Sequence, residues 1–563
     1  MNINDARLDK LINFIETYRR RLVSNNGKHG GVEYIATGNE NEKIKAPCCH
    51  IIEARRGCGK TTFISKALFE EENVLQVYID CQKYNGIQAD TVILQICSDI
   101  LEEMNQFLNQ EEIQKYKDIY INKTKGVFGF IRKKFKKVDS DIVADYGNYI
   151  SIKKSVEMLK NTIKDILARP EEQKFDYKDS RDNTNAKTQK SSRNVHKKIF
   201  VEGSADGSFP VSELLVKIQS VTSYQNVKEN IYEEIDESKN IKRIDTNYSK
   251  TVKRTELIDE LKICFAKLYD FVKEKYGERI VLFLDDFYQI EFDYQPRILQ
   301  YFHGIYKESG GAFCFKAVAI PNSVKINYDG QRLFSKKDDF PTIVLNYDLI
   351  DMDNLVIKLV KILISIEKNI GLSDNDIYSL FTSGTLYYLV MASGGIPRDF
   401  MALFSNTLIH ARDRRNEQIT KNDLYAIISE LKKEKESDRE VDLIGFTNQA
   451  IDDALDWLED WVKDSKINVM LYPVVSYKKH EKILKALVNL RYIHIINEHV
   501  TPEGKNFEAV GILLDMTLYA TSGRLPNYFN MCEFWVKDRH SSKLRQAKIG
   551  SFSDEFVNGL ERI

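Results

Sequence analysis

The clearest change of pattern along the chain falls at His50. Before it, MNINDARLDKLINFIETYRRRL spaces apolar residues at helical intervals among charges. A polar connection rich in Gly and Asn follows, so residues 1–45 read as an N-terminal helix and linker. Ile51-Ile52-Glu53 is a short apolar run that stops at a Gly-rich turn, after which TTFISKALFEEE resumes with helical periodicity. VLQVYID, from Val74 to Asp80, is a second run of strand length, and TVILQICSDILEEMNQFL reads as the next amphipathic helix. Strand, loop, helix, strand, helix is the opening of a parallel α/β sheet. The same texture returns in the helix ELIDELKICFAKLYDFVKEKY and in the apolar runs RIVLFLDD, GAFCFKAVAI and PTIVLNY.

Between these two stretches the pattern goes quiet. Residues of about 110–253 form a lysine-rich insertion in a unit that spans 46–350. Within it, Arg132-Lys133-Lys134-Phe135-Lys136-Lys137 is a basic cluster beside aromatic residues. Residues 170–198 have almost no apolar content and read as a flexible loop. Residues 351–440 are helix-rich, with start signals at Ser373-Asp374 and from Thr420 to Asp423, and make a helical lid. From 441 to 563, QAIDDALDWLEDWV leads into the helix YKKHEKILKALVNLR, the strand YIHIINEHV, the turn TPEGKN and the strand FEAVGILLDMTLY. Helix, helix, strand, turn, strand is the order of a winged helix.

Composition narrows the field. With 563 residues the chain is long enough for three to four domains at roughly 150 residues each. Charged residues reach 29%, yet the formal net charge is -1, so any surface for nucleic acid is local. Eight cysteines form no CxxC pair, and several lie in apolar runs, which suits buried thiols in a reducing, cytoplasmic setting. The most apolar window, LVIKLVKILISI, is broken by lysines, so no membrane partner is expected.

The chemistry sits at the ends of the apolar runs. Ala54-Arg55-Arg56-Gly57-Cys58-Gly59-Lys60-Thr61 follows a strand and opens a helix, the context in which backbone amides and a helix N-terminus hold phosphates. Ala54 stands where the usual pattern has its first Gly. Arg56, Gly57, Cys58, Gly59, Lys60, Thr61 and Thr62 are the candidate ATP-binding residues, with Lys60 on the β and γ phosphates. Val281-Leu282-Phe283-Leu284 ends in Asp285-Asp286, two carboxylates whose burial a bound Mg²⁺ compensates. Thr61 and Asp285 are the candidate metal ligands, and Asp286 the residue that polarises water. Asp reaches less far than the commoner Glu, which predicts slow hydrolysis. Asn322, after GAFCFKAVAI, is either a γ-phosphate-sensing residue or an ordinary strand cap. Arg398, in Gly394-Gly395-Ile396-Pro397-Arg398, is a candidate lid cation for the γ-phosphate, against a plain surface arginine after a turn. Arg332 is a weaker candidate for reaching a neighbouring subunit.

RRGCGKT, VYIDCQKYN, VLFLDDFYQI, GGIPRDF and the C-terminal pattern together resemble the AAA+ ATPases of the origin-recognition and cell-division-cycle initiator type, in their bacterial branch. The resemblance covers most of residues 45–520 apart from the insertion. It implies a RecA-like parallel-sheet P-loop core, a helical lid and a C-terminal winged helix that touches duplex DNA. It also implies an ATP hydrolase whose nucleotide state controls self-association or recruitment of a companion effector. Relatives of that branch are often carried in mobile-element or anti-phage defence loci. Ala54 and the polar insertion depart from the initiator pattern. An alternative of a different class stays open, a signalling or scaffold ATPase that recognises a protein partner without contacting DNA.

Overall fold

The computed structural model describes residues 1–19, 34–36, 38–70, 74–114, 140–168, 172–180, 245–345, 347–366, 368–442, 446–520, 523–526, 529–536 and 543–561. The chain opens on helix α1 (Ala6–Arg19), followed by α2 (Glu40–Lys45). β1 (His50–Glu53) runs into the Gly-rich turn, α3 (Lys60–Glu70) leaves it, and β2 (Val74–Asp80) and α4 (Ala89–Gln114) follow. α5 (Ser140–Leu167) packs on α4, burying Tyr149, Ile152, Val156, Leu159 and Ile163. This part of the insertion is therefore joined to the core by an apolar stripe at helical spacing. β3 (Glu172–Ser180) pairs antiparallel with β4 (Asp245–Lys253), Glu172 opposite Lys253. The first part of the stretch expected to be a loop is thus a strand, its backbone groups satisfied by a distant partner despite the polar composition. The basic cluster from Arg132 to Lys137 lies outside the described residues.

α6 (Arg254–Tyr276), β5 (Arg279–Asp285), α7 (Gln295–Glu308), β6 (Phe313–Ala319) and β7 (Thr342–Val344) complete the core. Five strands lie in the order β2-β5-β6-β1-β7, every pair parallel. β5 and β6 are covered on both faces, and their unbroken apolar sequences follow from that. The order places the ends of β1, β5 and β6 side by side, the edge at which such sheets hold ligands.

The lid consists of α8 (Met352–Ser365), α9 (Asp374–Ser379), α10 (Thr385–Ala392), α11 (Pro397–Asp413) and α12 (Lys421–Asp442). Ser373 and Asp376 cap α9 reciprocally, and Thr420 and Asp423 exchange hydrogen bonds at the start of α12. α1 docks on the lid, where Arg412 donates to Ile3 O at 2.6 Å and reaches Asp9 at 2.5 Å.

The C-terminal unit contains α13 (Asn448–Ser465), β8 (Val469–Pro473), α14 (Val474–Lys479), α15 (Glu481–Asn489), β9 (Ile493–Val500), β10 (Ala509–Leu514), β11 (Lys548–Ile549) and α16 (Asp554–Leu560). Its sheet runs β11-β8-β10-β9. Helix, strand, helix, helix, strand, turn, strand is the winged-helix arrangement, with two differences from the sequence reading. β8 adds a strand, and the expected single helix divides at His480. That imidazole is buried between the Tyr472 hydroxyl at 2.7 Å and Asp554 at 2.9 Å, which pins the junction.

Candidate nucleotide site

β1 ends at Glu53, and Ala54 to Gly59 turn the chain into α3. Gly57 and Gly59 take φ of +86° and +81°, open to glycine and costly for other residues. A Cβ on Gly57 would stand 2.9 Å from the Ile396 side chain and 3.1 Å from Arg398 Cβ, so the lid's approach also requires glycine there. Ala54, where the usual pattern has glycine, is buried, and its N–H donates to Ala319 O at 3.1 Å, continuing strand pairing with β6. Lys60 is buried and donates from Nζ to Ala54 O at 3.3 Å. The Cys58 thiol is fully buried, and that burial raises its pKa, so it is a packed side chain and not a thiolate.

β5 brings Asp285 to the same place with no exposed surface. Thr61 Oγ1 donates to Asp285 Oδ2 at 2.8 Å, and the Tyr78 hydroxyl from β2 donates to the same oxygen at 2.6 Å. The Asp286 N–H donates to Oδ1 at 2.9 Å. Three donors offset the desolvation of this carboxylate. Asp286 is half-buried in the left-handed region at φ +49°, a strained state for a non-glycine residue.

From the lid, the Arg398 N–H donates to Gly57 O at 3.3 Å, so the start of α11 touches the phosphate loop. Asn322, just past β6, is exposed at φ +60°, and its Oδ1 accepts from Lys485 of α15 at 3.0 Å. Arg332 lies on an exposed loop and Arg56 is half-buried in the turn. The structure thus gathers Gly57 to Thr62, Asp285, Asp286 and Arg398 in one place. It turns Asn322 toward the C-terminal unit. The donor set fits Mg²⁺: a threonine hydroxyl and a carboxylate oxygen meet beside a loop whose glycines leave room for phosphate.

Sequence reasoning passed over a second layer. Arg55 is buried, with Nη1 donating to His494 Nδ1 at 3.0 Å and Nη2 to Gly394 O at 3.3 Å. His494 Nε2 donates to Asp515 Oδ2 at 3.2 Å, and Lys435 Nζ reaches that oxygen at 2.6 Å. Arg491 Nη1 contacts both oxygens of Asp399, at 2.9 and 3.0 Å. Asp399 stood in the GGIPRDF run, and Tyr78 in the strand before Asp80. His494 and Arg491 lie in an otherwise apolar segment and carried no local signal.

These buried groups set a pH dependence. Burial, with Arg55 and Lys435 nearby, pushes His494 down to about 4 against the pull of Asp515. Burial and the Lys316 ammonium push His50 down to about 3, where Lys316 Nζ donates to its Nδ1 at 2.9 Å. Both imidazoles are neutral when folded and take protons near pH ~6.5 when unfolded. Between pH 6.5 and 4 the unfolded chain binds more protons, so stability falls as pH falls, by about 1.4 kcal/mol per unit for each group. Burial opposes ionisation of Asp515, but Lys435 and His494 hold its carboxyl well below the usual range, so its contribution survives until lower pH. Melting curves at pH 7, 6 and 5 should show a progressive drop. Equal melting temperatures at pH 7 and 5 would show that neither imidazole is held neutral.

No family model matches the chain, and no curated protein matches it. Among solved structures, Cdc6p from Pyrobaculum aerophilum aligns at 12% identity and a TM-score of 0.29, over 91% of this chain and 90% of that one. The Aeropyrum pernix Orc1 protein in complex with DNA aligns at 12% identity and a TM-score of 0.21, over 47% of this chain and 73% of that one. Among the described residues no helix is long and apolar enough to cross a membrane.

Proposed function

We propose that the chain is an ATP-controlled switch that binds ATP with Mg²⁺ and hydrolyses it slowly, coupling nucleotide state to self-association or partner recruitment on duplex DNA. One observation carries the reading: Thr61 and Asp285, 224 positions apart, stand 2.8 Å from each other at the end of a Gly-rich turn. Lys60 would hold the β and γ phosphates, and Thr61 and Asp285 the Mg²⁺, which supplies charge neutralisation on the phosphate oxygens. Asp286 would orient and deprotonate the attacking water, its short side chain keeping turnover slow. Arg398 would meet the γ-phosphate from the lid, whereas Asn322 is engaged by Lys485 of the C-terminal unit. The winged-helix unit would meet phosphates of duplex DNA through exposed Lys478, Lys479 and Lys505.

A second reading has its own support. Lys479 pairs with Asp554 at 2.7 Å, Lys482 with Glu561 at 3.7 Å and Lys485 with Glu481 at 2.7 Å, so α16 and α15 neutralise much of this basic face. Such a face suits a protein partner. Asp286→Asn separates the two readings, because it should retain ATP and stop turnover, fixing the ATP form. Anisotropy titration of two unrelated duplexes at three salt concentrations then reads the outcome. Duplex contact requires a slope of log K against log salt of about -0.9 per phosphate met. Absence of binding, or binding indifferent to salt, assigns the unit to protein contacts. An Asp286→Asn variant that hydrolyses ATP at the parent rate would remove Asp286 from the water-activating role.

A further inference from the structure

Four residues of the C-terminal unit reach three segments around the nucleotide site. His494 of β9 accepts from Arg55 in the phosphate loop. Arg491, between α15 and β9, holds Asp399, the neighbour of Arg398 at the start of α11. Lys485 of α15 donates to Asn322, and Asn489 donates from Nδ2 to Pro321 O at 3.3 Å. Lys435 ties these contacts together by donating to both Asp515 and Arg491 O, at 2.6 and 3.1 Å.

Arg491 holds a backbone position that ordinarily favours glycine. α15 ends at Asn489, and the Tyr492 N–H returns to Leu487 O at 3.0 Å, which puts Arg491 at the left-handed position closing a helix. Glycine is the usual occupant there. Arg491 instead sits at φ +66° and is buried. Backbone strain of this kind persists where the surroundings over-determine it. Here the guanidinium on Asp399 is what glycine could not supply.

The partners are also matched in protonation. Arg55 is always a donor, so His494 Nδ1 must accept, and its remaining proton then lies on Nε2, facing Asp515. One neutral imidazole thereby joins a phosphate-loop arginine to a carboxylate of the C-terminal unit. Any movement of Arg55 on phosphate binding must break this chain of bonds or carry β9 with it.

We propose that the winged-helix unit is a working part of the nucleotide site, in which His494 and Arg491 are positioning residues. Through Arg55 they hold the phosphate loop in place, and through Asp399 they set its neighbour Arg398 on the lid helix for the γ-phosphate of a nucleoside triphosphate. The proposal rests on the ATP-site reading above and adds that triphosphate is told from diphosphate only with the C-terminal unit docked. By linkage, triphosphate must in turn change the docking of that unit.

The test is equilibrium binding of ATP and of ADP to the full chain, each with Mg²⁺, for the parent, His494→Leu and His494→Gln. Leucine removes both hydrogen bonds, whereas glutamine can accept from Arg55 and donate to Asp515. His494→Leu should weaken ATP at least tenfold and ADP less than threefold, and His494→Gln should bring ATP back to within threefold of the parent. Should His494→Leu melt too low to assay, Arg491→Gly, which favours the local backbone, must show the same selective loss. Equal weakening of ATP and ADP overturns the proposal, as does unchanged ATP affinity in His494→Leu. A folded His494→Gln that fails to recover ATP overturns it too. A parent chain that binds neither nucleotide removes the ATP-site reading itself, and this proposal with it. That outcome is distinct from every result in which the parent binds and a variant decides.

Discussion

Lys60→Ala should lose ATP by about a hundredfold or more. The Lys60 ammonium is buried in the phosphate turn at the start of α3 and donates to Ala54 O. Facing the β and γ phosphates it would make two charge-assisted hydrogen bonds, each worth about 1.5–3 kcal/mol. Losing both costs at least ~3 kcal/mol, and each ~1.4 kcal/mol is tenfold in affinity. Arg55 cannot take its place, because its guanidinium is already committed to His494 and Gly394 O in the interior. Magnesium coordination by Thr61 and Asp285 remains in the variant, so residual binding should still depend on Mg²⁺. Titration of a fluorescent ATP analogue checks this. Parent-like affinity in Lys60→Ala would mean that nucleotide binds elsewhere or not at all.

What the sequence made legible was whatever local chemistry demands locally. The phosphate turn needs glycines between a strand and a helix, and a fully covered strand such as Val281 to Leu284 needs an unbroken apolar run. Both can be read without knowing what lies nearby. The contact between Asp285 and Thr61 was legible because the sequence reading expected both motifs at one site. The same logic brought Arg398 to the phosphate loop, where its N–H meets Gly57 O. β8 escaped because its five residues, with Pro473 at the end, carry neither a clean alternation nor a helical period. β3 escaped because its composition is polar, and pairing with β4 is fixed by backbone bonds across a long separation. The buried chain from Arg55 through His494, Asp515 and Lys435 escaped for a different reason. Each member is ordinary in its own segment, and only the docking of three domains makes it a network. Asn322 shows the converse, since its place after β6 was legible but its engagement with Lys485 was not.

Among the described glycines, Gly394→Ala should bring the severest clash. A Cβ built there would lie 2.1 Å from His494 Cε1, 2.3 Å from Nδ1 and 2.6 Å from Nε2, far inside van der Waals contact. Gly394 also takes φ +58°, which costs a residue with a Cβ roughly 1–2 kcal/mol before any clash. The imidazole cannot swing aside cheaply. Both ring nitrogens are bonded, and displacing the ring would strip buried Arg55 and Asp515 of a partner. Losing a buried hydrogen bond at each of these two charged groups costs about 1.5–3 kcal/mol apiece. The expected result is a lowered melting temperature together with detachment of the C-terminal unit, seen as its release by limited proteolysis under conditions that leave the parent intact. A double-mutant cycle isolates the cause. With His494→Ala in the background the methyl has room, so adding Gly394→Ala should cost only the backbone strain of roughly 1–2 kcal/mol. A single variant that melts with the parent would show that the lid turn and β9 do not meet. Additive losses in the double variant would place the damage in the backbone of the turn and remove His494 from the contact.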